Sequence, residues 1–232
     1  MRGGERNRHR LRSLRLTLEL LLGRRLLLFA LLDLTIVGAG LFSMLLQPEG
    51  AADSPYLWMF LLPCLALGLP ALAGMVDVER RAGCLDLALS APAAEVYFVR
   101  RAAAVGAVMA LQGAAVMLLA WLLSGRDFPL LSPLLSVAAV SVFLSAVALF
   151  WAVRLRSAGA VWLASTATVV LFGSWVFAAP IPPRFDSVYG PLLPGLEAAL
   201  PWLGSVAVLS LSSALFFLYA RRRLRRPERM IS

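Results

Sequence analysis

Along the chain, polar positions gather into clusters separated by long apolar runs. Six runs stand out, at 26–46, 56–75, 102–123, 130–151, 158–177 and 202–220. Each comes close to the roughly 20 residues that a helix rising about 1.5 Å per residue needs to cross about 30 Å of hydrocarbon. The pattern predicts six transmembrane helices and no strands. The first run is too long for the apolar stretch of a signal peptide and no small-residue cleavage pattern follows it, so it reads as an uncleaved anchor.

Two stretches outside the runs carry helical periodicity. From Leu11 to Arg25, Leu11, Leu14, Leu18 and Leu21 share one face while Arg12, Arg15 and Glu19 turn towards another. That arrangement suits an amphipathic helix lying flat on a leaflet. Residues 1–10, rich in Gly and Arg, have the composition of a disordered tail.

The second stretch, Val78 to Arg101, mixes both charges with Leu between the second and third runs. Glu79, Gly83, Asp86 and Ser90 fall at helical steps and form one polar stripe, beside an apolar stripe of Leu85, Ala88 and Leu89. Pro92 disfavours helical geometry at Ala91, so this helix, at about 77–90, should stop near Ser90. A new helix can start at Pro92 and continue through Tyr97 into the third run. The result is an elbow of about 18 Å for a dozen residues. It fits either an interfacial helix or a helix docked in a protein groove. Carboxylates at Glu79 and Asp86, poorly matched to anionic lipid, favour the groove.

Composition agrees with the runs: 60% of residues are hydrophobic and 15% charged, with a mean hydropathy of +0.81. These values lie far from those of soluble domains. The expected organisation is a basic tail and interfacial helix at 1–25, a six-helix membrane domain at 26–220 and a basic tail at 221–232. All 22 basic residues are Arg. Eight precede the first run, four lie between the second and third, two between the fourth and fifth, and six follow the last, which leaves only Arg126 and Arg184 on the other side. Cationic loops stay in the cytoplasm, so both termini are expected there. Trp58, Trp121, Trp175 and Trp202 fall at the outer ends of runs, with Tyr97 and Tyr219 at the inner boundary, as amphipathic rings favour. The net charge of +9 is thus a topology signal and an attraction to anionic inner-leaflet lipid, not a nucleic-acid footprint.

The same inventory leaves catalysis without machinery. Cys64 lies within a run and Cys84 in the elbow, so no disulfide framework or CxxC metal site is available, and His9 is the only histidine. Lysine is absent, so a phosphate-binding GxxxxGK[ST] loop cannot occur and any ATP must be handled by another chain. Asp33 is the only acidic residue inside a run, where a charge costs a few kcal/mol unless paired or hydrated. It fits a substrate or proton site, or a pairing with Arg100, Arg101 or a neighbouring hydroxyl. Gln112, Ser141 and Ser145 suit interhelical hydrogen bonds. Six prolines within 178–201 argue against a continuous helix there, and its apolar residues fit either a re-entrant segment or a Pro-rich loop. No internal repeat or dense set of intramembrane charges supports an ion-coupled carrier.

The segment Glu79 to Pro92 resembles the cytoplasmic segment of ABC-2 type permeases, the membrane subunits of a class of ABC transporters. Members carry an acidic-basic pair, then Gly-[Thr/Ser]-Leu-[Glu/Asp]-x-Leu-Leu and a Ser-x-Pro ending. Glu79, Arg80, Gly83, Leu85, Asp86, Leu89, Ser90 and Pro92 match it, while Cys84 stands where Thr or Ser is usual and Ala88 where Leu is usual. The order of parts resembles the family over nearly the whole chain. The resemblance implies an all-α integral membrane fold with six spans and an N-terminal interfacial helix, in the inner membrane. It implies that the segment is a coupling helix docking on an ABC ATP-binding subunit, with ATP and Mg held by that partner and no cofactor in this chain. It further implies a dimer with a second permease copy or a paralogue. A haem-exporter B-like subunit of cytochrome c maturation shares the length and span number and is the alternative within the superfamily. A non-transport scaffold or an ion-coupled carrier is the alternative outside it.

Overall fold

The computed structural model describes residues 26–46, 55–81, 83, 94–124, 130–176 and 192–225, and these are helices joined by short turns, with no strand among them. The first helix, α1, covers Leu26–Leu46. The second rod begins with two π-helical stretches, Pro55–Leu61 and Cys64–Gly68, and continues as α2, Leu69–Arg81. After it come α3, Ala94–Ser124; α4, Leu131–Ala152; α5, Ala158–Leu171; the single turn α6, Gly173–Val176; and α7, Leu192–Leu224. Four helical segments are long and apolar enough to cross a membrane: Tyr56–Glu79, Glu95–Leu123, Leu131–Ala152 and Leu200–Leu224. Leu31–Phe42 and Ala158–Leu171 are shorter apolar stretches. The chain is a multi-pass, all-α membrane protein.

The π-helical widening has a cause in the sequence. Pro63 has no N–H to donate, and its ring clashes with the carbonyl four residues back, so the regular ladder cannot pass through it. The N–H of Leu69 donates to Cys64 O, five residues back, just before Pro70 removes the next donor. Such π-bulges mark irregular points in otherwise regular helices.

Helix α4 is the centre of the bundle. Its apolar window is 67% buried, against 22% for the last span, and it packs on α2, α3, α5 and α7. Between apolar helices in lipid the gain comes from close van der Waals packing, which small residues permit. Gly106 and Gly113, two turns apart on α3, provide that approach. A methyl group on Gly113 would lie 2.6 Å from Val137 Cγ1, and one on Gly106 would overlap Ser145 Oγ and sit 3.4 Å from the Ser141 carbonyl oxygen. By contrast α1 packs chiefly on the first π-helical stretch, and Leu31, Leu34 and Phe42 remain exposed.

Two boundaries differ from those expected. The fifth run bends at Phe172, where α5 ends, and resumes as α6. The Phe172 ring lies 5.1 Å from Phe143 and 5.5 Å from Trp175, so aromatic packing is met at the break. The last helix starts at Leu192, not Trp202. Pro194 falls in its first turn, where a missing N–H costs nothing, and Pro201 is accommodated inside. Residues 192–201 are therefore helix, continuous with the last span. The expected interfacial helix at 1–25, the rest of the outer segment and the tail beyond Arg225 lie outside the described residues.

Candidate functional site

The chain gathers its described arginines at one end of the bundle. Helix α2 ends at Arg81, and Gly83 follows at φ +68°, the left-handed geometry that closes helices and favours glycine. Glu79 therefore belongs to α2, and no continuous helix runs from Glu79 through Gly83, as one polar stripe over 79–90 requires. Leu85, Asp86, Leu89, Ser90 and Pro92 lie outside the described residues, as does the side chain of Arg80.

Glu79 sits in the last turn of α2, where the helix dipole disfavours a carboxylate. Three groups offset this. Arg101 Nη1 pairs with Glu79 Oε1, and Tyr97 donates its hydroxyl to the same oxygen at 2.7 Å. Arg101 Nη1 also donates to the Tyr97 hydroxyl at 3.0 Å, with its guanidinium 5.2 Å from the Tyr97 ring centre. Tyr97 and Arg101 stand one turn apart on α3, so their spacing presents both to α2. The Arg101 side chain is 4% exposed and that of Glu79 is 15% exposed. Arg101 Nη2 is buried without a hydrogen-bond partner. Glu79 is thus turned towards α3.

The start of α3 is held a second time. Glu95, in its first turn, is well placed for the dipole and meets α7. Arg225 Nη2 donates to Glu95 Oε1 at 3.0 Å, Arg225 Nε pairs with Oε2, and Arg221 Nη2 lies 3.4 Å from Oε1. The arginines of these contacts are more than half exposed, so water screens each pair and each contributes little. The chain enters the 82–93 segment from Glu79 and leaves it towards Glu95, Tyr97 and Arg101, with both ends pinned to the bundle.

Within the apolar part, Gln112 Nε2 donates to Asp33 Oδ1 at 2.6 Å, joining α1 to α3. The two residues singled out as intramembrane polar positions meet each other. Asp33 Oδ1 is met by an amide, while Arg101 is committed to Glu79. Ser145 donates to the Ser141 carbonyl within α4 at 2.8 Å and so makes no interhelical bond. At the opposite end, Trp202 is buried and donates to Ser136 Oγ at 2.9 Å, and Tyr56 donates to the Val176 carbonyl at 3.1 Å. Trp202 is therefore a packing residue and not part of an exposed aromatic belt.

Among the described residues no group of three His, Cys, Asp or Glu side chains could hold a metal ion. Comparison with protein-family models, curated proteins and solved structures finds no match.

Proposed function

We propose that this chain is the membrane-spanning permease subunit of an ABC-2 type exporter. In this reading α1 and the α5–α6 pair are further spans. They bring the total to six, with both termini cytoplasmic, and two such subunits form the translocation pathway. ATP is hydrolysed by a separate ATP-binding subunit that docks on the 82–93 segment. The observation that supports the reading is the anchorage of that segment. A coupling element transmits displacement only if its ends cannot slip relative to the spans, and the triad of Glu79, Tyr97 and the buried Arg101 joins the helices entering and leaving it. Arg80, Gly83, Leu85, Asp86, Leu89, Ser90 and Pro92 then form the docking surface, and Glu79 is a positioning residue behind it.

The test is affinity purification of the full chain from its native membrane, with co-purifying chains identified by mass. An ATP-binding subunit should accompany the unaltered chain, and Asp86→Arg combined with Leu89→Arg should reduce its recovery at least about tenfold, since desolvated charge and apolar anchors carry such interfaces. Insertion should be unharmed, because added cytoplasmic cations reinforce the orientation. Undiminished recovery with the double substitution, or no ATP-binding chain with the unaltered protein, overturns the reading.

A further inference from the structure

We propose that the arginine-rich end carries a built site for the phosphate of an anionic phospholipid, centred on Arg154 and Tyr219. The inference needs no ATP-binding partner. Three arginines at this end are balanced by carboxylates: Arg101 by Glu79, and Arg221 and Arg225 by Glu95. Arg154 is exposed, and no carboxylate of the described residues pairs with it. It lies in the turn that closes α4, where its N–H donates to the Trp151 carbonyl at 3.0 Å. Its guanidinium is held by neutral groups. Nε and Nη2 donate to the Tyr219 hydroxyl at 3.2 and 2.8 Å, and the Phe150, Trp151 and Tyr219 ring centres lie 4.9, 5.9 and 4.8 Å away.

This bonding uses one edge and the faces of the guanidinium and leaves Nη1 for a ligand. Rings on several sides fix the side chain, so little conformational freedom remains to be lost when an anion binds. An anion that meets Nη1 gains a charge-assisted hydrogen bond from a guanidinium already fixed in place. The Tyr219 oxygen accepts from arginine, which leaves its own O–H as a further donor.

Depth and surroundings select a lipid. Tyr219 stands where the last span meets the arginine-rich boundary, the level at which amphipathic rings meet headgroups and basic pockets between helices bind anionic lipid. Leu215 and Leu218, deeper on α7, are 60% and 51% exposed and offer a track for an acyl chain. A free phosphate has no use for that track.

The purified full chain, titrated with phosphatidylglycerol or phosphatidylcholine and observed by native mass spectrometry, tests the site. The unaltered chain should retain one phosphatidylglycerol in preference to phosphatidylcholine. Arg154→Gln and Tyr219→Phe should each weaken that first lipid about tenfold, the effect of losing a charge-assisted hydrogen bond. Arg222→Gln, which removes an exposed charge from the same helix, should leave it unchanged. Tyr219→Phe keeps all three rings, so loss of lipid in that variant is not a packing defect. Equal weakening in all three variants, or equal retention of the two lipids, reduces the site to diffuse attraction and overturns the proposal. Displacement of the bound lipid by inorganic phosphate overturns the lipid assignment in favour of a soluble phosphate ester.

Discussion

Arg101 is the most demanding side chain in the bundle. A guanidinium removed from water loses its hydration, and only Glu79 and the Tyr97 hydroxyl replace it, with Nη2 left bare. Such a pair adds little against an apolar substitute, yet breaking it is costly because the remaining charge stays buried. Arg101→Met should destabilise the protein by about 3–5 kcal/mol, since Glu79 is then left unpaired at the wrong end of a helix dipole. Adding Glu79→Gln should restore most of the loss, because the stranded charge is gone. Thermal unfolding of both purified variants in detergent checks this, and a double variant no more stable than the single one counts against the pair. Neither contact was legible beforehand. Glu79 and Asp86 looked alike as members of one stripe, and the stripe assumed a helix that Gly83 interrupts at φ +68°.

Elements were far more legible than contacts. Hydrocarbon thickness fixes how many apolar residues a spanning helix needs, so the runs beginning at Leu26, Tyr56, Leu130 and Ala158 predicted helices to within a residue or two at that end. The misplaced boundaries were Phe172, which ends α5 among packed rings, and Leu192, which starts a helix with Pro194 in its first turn where a Pro-rich loop was an open alternative. The π-helical stretches had a signal in Pro63 and Pro70 that composition alone does not read as widening. Gly106 and Gly113 were readable as small residues, but their role depends on which helix faces them. That role is checkable. Gly113→Val should separate α3 from Phe60 and Val137 and lower stability by about 1–3 kcal/mol or more, the range for an overpacked core. Gly159→Val, where added atoms meet open space, should stay within about 1 kcal/mol, mainly the difference in helix propensity. Equal losses at the two glycines would remove the α3–α4 seam as an explanation.

At the scale of the molecule, charge and packing point to the same axis. The ion pairs of Arg101, Arg221 and Arg225 and the aromatic cradle of Arg154 lie at one end of the bundle, while Tyr56 bonds to Val176 and Trp202 to Ser136 at the other. Alternating helix ends, read from arginine clusters in the sequence, are thus met by direct contacts among the same residues. The cationic end should face the cytoplasm, because retention of positive charge orients multi-pass chains. Single cysteines placed in a background of Cys64→Ser and Cys84→Ser report this with a membrane-impermeant maleimide. Gly159→Cys is suited to the arginine-rich side, since Gly159 is exposed two residues past the Arg154–Ser157 turn and its added side chain meets open space. Ser54→Cys, between the first two apolar runs, reports the opposite side. Intact cells should label Ser54→Cys alone, and inverted vesicles Gly159→Cys alone. The reverse pattern would invert the molecule, move the 82–93 segment outside, and put it beyond the reach of any subunit that hydrolyses cytoplasmic ATP.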